Sequence, residues 1–91
     1  MEIWKFEIPT NDYTVELPSI HRVLSAGVQG SSILVWVLVD PKDSKKVKRR
    51  LPVYGTGHTI LESDENLPLI NTVFMGPMVF HVFDGGVKEK S

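Results

Sequence analysis

The sequence predicts an all-β domain, a compact antiparallel sandwich or small barrel of about seven short strands. Three observations predict it. Apolar and polar residues alternate with period two along most of the chain, and no segment sustains a helical period. Turn-forming clusters (Pro9 to Asp12, Gly30-Ser31, Asp40-Pro41, Gly76-Pro77) punctuate the chain at nearly even spacing. The strongest segment, residues 33–39, is rich in β-branched side chains and apolar on both faces.

The elements follow in order. Trp4, Phe6 and Ile8 alternate with Ile3, Lys5 and Glu7 as a first strand, and Tyr13, Val15 and Leu17 mark a second that Pro18 stops. Residues 21–29 form a third, in which Gly27 signals a bulge or a close approach of backbone. Residues 33–39 are a central strand, buried on two sides or meeting a partner subunit with its second face. The fifth strand, 47–54, places Val47, Leu51 and Val53 on one side and Lys48, Arg50 and Tyr54 on the other, with Arg49 interrupting the apolar set. A polar loop with a short helix or turn near 59–65 comes next, its Asp64 and Glu65 expected in solvent. Residues 69–75 and 78–83 close the fold as a hairpin, and 87–91 are expected to fray.

Composition bounds the rest. Ninety-one residues make a single domain, 1–91, with a thin stability margin, and the absence of cysteine removes disulfides and thiolate-held zinc as support. Oligomerisation is the remaining common way to bury more apolar surface, so a homo-oligomer is expected, with Trp36 and Trp4 as candidates for core or subunit contact. A net charge of −1 gives no global attraction to nucleic acid or to an anionic membrane, so neither is an expected partner. The first residues lack a basic and apolar leader, and the longest apolar run falls far short of a spanning helix, so the expected location is cytoplasmic.

No cofactor and no metal is expected, because His21, His58 and His81 are scattered without ligand spacing. No nucleophile motif occurs either, which points away from an enzyme.

Two features carry binding chemistry. Lys42, Lys45, Lys46, Lys48, Arg49 and Arg50 concentrate most of the positive charge in one short stretch. Such a cluster suits a phosphate-binding patch, and equally a solvated hairpin loop or a Lys-protected strand edge. Tyr54, on the face of Lys48 and Arg50, favours the first reading, since an aromatic beside two cations can stack a base while they hold its phosphate. The second feature is Gly55-Thr56-Gly57-His58. Its glycines allow positive φ and inward-pointing N–H groups, a nest for an anion, although a lone Gly-x-Gly is also an ordinary turn.

Four segments together are similar to a family of small proteins encoded by bacterial viruses: the opening Met1-Glu2-Ile3-Trp4-Lys5-Phe6, residues 34–40 leading into Pro41, the Tyr54-Gly55-Thr56-Gly57-His58 run, and Val79-Phe80-His81-Val82-Phe83. The resemblance implies an intracellular phage protein. By analogy with viral nucleotide sponges, it implies a non-enzymatic oligomer that sequesters a cyclic or ADP-ribose-derived immune signal. In that reading Lys48 and Arg50 neutralise phosphate, Tyr54 stacks, and Gly55, Thr56, Gly57 and His58 donate hydrogen bonds. The competing expectation is a protein-interaction module that inhibits a host protein or assists phage assembly.

Overall fold

The computed structural model describes residues 1–88. Eight strands run β1 (Glu2–Glu7), β2 (Thr14–Pro18), β3 (His21–Gln29), β4 (Ser32–Val39), β5 (Lys46–Arg50), β6 (Val53–Gly55), β7 (Leu69–Met75) and β8 (Met78–Phe83), with one 3₁₀ turn at Glu62–Asp64. They form three small antiparallel sheets, ordered β1-β4-β3, β2-β5 and β6-β8-β7. The all-β class is as the alternation predicts. The sheets do not close into a barrel, and the short helix or turn expected near 59–65 is the 3₁₀ turn.

One core joins all three sheets. Val35, Val37 and Val39 from β4, Leu17 from β2, Val82 from β8 and Leu51 are each fully buried. Period two puts these valines on one face of β4 and Leu34, Trp36 and Leu38 on the other. The inward face also takes Trp4 and Phe6 of β1, which sit opposite Val37 and Val35. Trp4 therefore packs at the edge of the core. Trp36 does not, because its parity directs it outward.

Gly27 is explained by that outward indole. A Cβ at position 27 would lie 2.5 Å from Trp36 Cζ3, so the ring rests directly on the β3 backbone. The bulge in β3 is elsewhere, at Leu24, between the Val23–Val37 and Ser25–Trp36 pairs. On the same outer face, Lys5 Nζ donates to Gln29 Oε1 at 2.8 Å, crossing β4 at the level of Leu34, which is buried.

The single strand expected over 47–54 is two strands in two sheets. Pro52 has no N–H for a ladder and breaks the run. β5 pairs with β2, and beyond Pro52 the chain becomes β6 and pairs with β8. Arg49, on the apolar side of β5, is accommodated by Asp84, with Nε–Oδ1 at 2.9 Å and Nη2–Oδ2 at 2.6 Å. His21 Nε2 lies 3.0 Å from Arg49 Nη1, while its Nδ1 lies 2.8 Å from the Pro18 carbonyl. A carbonyl only accepts, so neutral His21 carries its proton on Nδ1 and accepts from Arg49 on Nε2.

Part of the expected frayed tail is held. Gly85 N donates to Arg50 O, Arg50 N to Gly86 O and Lys88 N to Lys48 O, and Val87 bridges to Arg49. The segment thus covers the edge of β5 that β2 leaves open. The remainder of the predicted tail, 89–91, lies outside the described residues.

The closing hairpin matches its predicted boundaries, with Gly76 at φ 57° turning Met75 back onto Met78. β7 then meets β3 through one side chain. Asn71 Oδ1 accepts from Ala26 N at 2.7 Å, and its Nδ2 donates to Ala26 O at 2.8 Å, replacing a missing pair of ladder bonds. Replacing Asn71 with Leu keeps the bulk but strands both backbone groups of buried Ala26. The expected loss is about 1–3 kcal/mol per unsatisfied group, read as a lower denaturation midpoint in urea.

Candidate functional site

The residues proposed from the sequence as one site fall into separate environments. Arg50 and Tyr54 do converge, but on Asp64. Arg50 Nη1 and Nη2 donate to Asp64 Oδ1 and Oδ2 at 2.9 and 2.6 Å, and the Tyr54 hydroxyl donates to Oδ2 at 2.6 Å. Leu61 N in turn donates to the Tyr54 hydroxyl at 3.4 Å. The tyrosine ring meets Phe83 edge-on, with centroids 6.1 Å apart.

Asp64 corrects the expectation of a solvated loop acid. Its side chain is only 2% exposed, whereas that of Arg50 keeps 30%. The Arg50 hydrogen bonds, opposed by burial and assisted by Tyr54, hold its carboxyl below the usual carboxylate range. The bond to Asp64 also raises the Tyr54 phenol, because the proton is held between the two oxygens. This is a structural cluster that pins the 61–64 turn onto β6. The phosphate-holding guanidinium and the stacking ring of the sequence reading are both committed to it.

Lys48 shares a face with Arg50, as predicted, but stands apart from the other proposed residues. It is exposed opposite Glu16 and borders a shallow groove with Asp12, Glu16 and Lys88.

The Gly55–His58 segment is a tight turn. His58 N donates to Gly55 O at 3.0 Å, and Thr56 N to Val79 O at 3.0 Å, so two of its N–H groups are spent internally. Gly57 supplies φ 89°, which an L side chain resists. Gly55 has a different reason: a Cβ there would be 2.9 Å from His58 Cε1 and Nδ1, so the imidazole folds back over it. The segment expected as an anion nest is thus a tight turn that already uses the N–H groups of Thr56 and His58. Thr56 is directed away from His58, its Oγ1 being 2.7 Å from His81 Nε2, while His81 Nδ1 is 3.0 Å from Thr72 Oγ1.

What the turn does line is a cleft of about 320 Å³ at one end of the fold. The floor is apolar, built from Ile8, Ile33, Val53, Met75 and Phe80. Thr10, Tyr13, Ser31, Ser32 and His58 add polar residues to the lining, and so does Glu7, although its strand parity sets its side chain on the outer face of β1-β4. Among the described residues no Lys or Arg lines it. Tyr13 sits at φ 57°, a left-handed conformation unusual for a bulky residue. Its N–H reaches Pro9 O at 3.0 Å and its carbonyl accepts from Leu51 N at 2.7 Å, which hold the strain in place.

Sequence reasoning located Gly55 and His58 of this cleft and missed the rest. Ile8, Tyr13, Ile33 and Phe80 come from distant parts of the chain, and only their strand alternation was visible. No group of three or more metal-ligating side chains occurs among the described residues, and no helix is long and apolar enough to cross a membrane.

Residues 1–91 match the model of a family described as a domain of unknown function (DUF7352). No curated protein and no solved structure matches the chain.

Two outcomes test the Asp64 cluster. Arg50→Ala leaves a buried carboxylate unpaired and should cost about 2–4 kcal/mol, less than a fully buried pair because Arg50 is part-exposed; a merely ligand-binding arginine would leave the melting temperature unchanged. Asp64 and Asp84 are both depressed: for Asp64 the Arg50 hydrogen bonds dominate, and for Asp84 burial pushes upward but the Arg49 and Gly86 N–H bonds outweigh it. A carboxyl depressed in the folded state contributes stability above its unfolded pKa, about 3.9, and loses it as pH falls through the folded value. Thermal melts from neutral to strongly acid pH should therefore show wild type falling below about pH 4. Asp64→Asn should be less stable at neutrality, and its deficit should shrink in acid.

Proposed function

The chain belongs to the DUF7352 family over its whole length, and we propose that it is a non-enzymatic binding module whose small ligand occupies the cleft lined by Tyr13, His58 and Phe80. The lining carries this reading. An apolar floor with hydroxyl-bearing residues and one histidine in the lining is the composition of a small-molecule site, and about 320 Å³ lies near the lower end of the usual ~300–1,000 Å³ range. The strained Tyr13 supports it, since a bulky side chain held at positive φ is more often retained where its direction matters.

The lining also selects the ligand. With no Lys or Arg among its described lining residues, the cleft favours an uncharged body with hydrogen-bonding edges, stacked on or packed against Tyr13 and Phe80. The nucleotide reading of the sequence accordingly takes a changed form. A base, alone or with its sugar, enters the cleft, and any phosphates stay outside it, because Arg50 is held by Asp64. The ligand is sequestered, not turned over, and the proposed setting is the cytosol, where a cysteine-free domain of this size needs no disulfide.

The test is a melting-temperature series against free bases, nucleosides, cyclic dinucleotides and ADP-ribose derivatives, followed by analysis of ligand released on heating. A ligand at about a hundredfold excess over Kd stabilises by about 2.7 kcal/mol, a shift of several degrees for a domain of this size. The expected result is a shift with a base or nucleoside that is lost in His58→Ala and in Phe80→Ala and unaffected by Lys48→Ala. Loss of the shift in Lys48→Ala would return the site to the basic strand. A chemically altered ligand would overturn the non-enzymatic reading, and a flat series would overturn the cleft.

A further inference from the structure

Three side chains on the outer face of the β6-β8-β7 sheet form a relay that belongs to neither the Asp64 cluster nor the cleft. Thr56 Oγ1 lies 2.7 Å from His81 Nε2, and His81 Nδ1 lies 3.0 Å from Thr72 Oγ1. Strand register brings them together. Thr72 stands directly opposite His81 across β7 and β8, and Gly55 pairs with Phe80 across β6 and β8. Thr56 N donates to Val79 O at 3.0 Å, which sets Thr56 diagonally across from His81 on the same face.

The relay runs from the sheet to the surface. Thr72 and His81 are half-buried, whereas Thr56 is exposed on the turn, where Gly57 at φ 89° takes the chain away from β8. A hydroxyl that bonds an imidazole and still meets solvent is open to a reagent. Beside it lies a second, shallower cavity of about 370 Å³, of which Thr56 is a lining residue. Pro77, Met78, Val79 and Phe80 give that cavity an apolar wall.

These are the parts of an activated nucleophile: a hydroxyl, a base within hydrogen-bond reach of it, and a third group that orients the base. A neutral imidazole donates from one nitrogen and accepts on the other. With Nδ1–H given to Thr72 Oγ1, the lone pair of Nε2 faces the Thr56 proton. Thr56 is β-branched and its N–H is tied to β8, so its hydroxyl is held in direction before any reagent arrives.

We propose that Thr56 is a site of covalent acylation by a carboxylic ester with an apolar acyl chain, with His81 as general base and Thr72 positioning it. Thr56 Oγ1 bonds to the acyl carbon and passes its proton to His81 Nε2. The bond from the acyl carbon to the leaving oxygen then breaks, and Nε2 returns the proton to that oxygen. The products are a threonine ester and a free alcohol, with no change of oxidation state. The acyl chain lies against Pro77 and Met78. The protein's own hydroxyl is used up, so the step is a capture and not a catalytic cycle. It stands whether or not the neighbouring cleft holds a ligand.

Incubation with p-nitrophenyl butyrate, followed by peptide mapping in a mass spectrometer, tests this. A butyryl group should appear on Thr56 with a matching release of nitrophenol. Thr56→Val should abolish that adduct, and Thr56→Ser should keep it. His81→Gln should slow its formation at least about a hundredfold with an unchanged far-UV circular dichroism spectrum. Thr72→Val should slow it as well, and Thr72→Ser should restore the rate. Thr56 is exposed and the wild-type map needs no substitution, so the test remains valid if His81→Gln folds poorly. A wild type with no adduct, or with adducts on lysines alone, would overturn the proposal. So would a Thr56 adduct that forms as fast in folded His81→Gln, and an unchanged rate in Thr72→Val would remove Thr72 from the relay.

Discussion

Two adjacent arginines on one short strand hold the irregular parts of this molecule. Strand geometry sends neighbouring side chains to opposite faces, so Arg49 and Arg50 of β5 leave in opposite directions, and each ends in a two-point contact with an aspartate. Arg50 takes Asp64 and draws the 61–64 turn onto β6, with Tyr54 as the third member. Arg49 takes Asp84 and draws the 84–88 segment along β5, with His21 behind it. Without these clamps, two long connections would lie loose on a domain that has no disulfide.

The same economy appears between the sheets. Three sheets of two or three strands are each too small to be stable alone. A shared apolar centre joins them, and the seam between β3 and β7 is closed by the Asn71 amide in place of a backbone ladder. Polar side chains here do the work that longer strands would do in a larger protein. For that reason so many of the buried or half-buried polar groups prove structural, and the cleft is distinguished by polar lining residues, Thr10, Ser31, Ser32 and His58, that belong to neither clamp.

Much of the fold was legible in the sequence. The β4 core strand, the closing hairpin and the turns at Gly30 and Gly76 follow from local rules, namely alternation, β-branching and the φ preferences of glycine. The division of residues 47–54 was legible only in Pro52, whose missing N–H ends one ladder and lets the chain join another. The site was harder to read. Arg50 and Tyr54 share a face, as expected, but their meaning depends on Asp64, a loop acid among several with no local sign of burial. Gly55 and Gly57 were noticed as a pair, though each is needed for its own reason: one to admit the His58 ring, the other to reach positive φ. The cleft itself arises from residues brought together only by tertiary pairing, which no local pattern encodes.

The segment laid along β5 also differs from the hairpins in the length of chain its contacts close. The β3-β4 and β7-β8 hairpins turn on two residues each and close quickly, because little chain entropy is lost. Arg49 reaches an aspartate 35 residues further along the chain. The far edge of the β2-β5 ribbon is thus covered through contacts of long sequence separation, whose loop-closure cost is higher than that of the two-residue hairpins. Within the ribbon β2 has a strand on one edge alone, so its amides should exchange with solvent before those of β4, which lies between two neighbours.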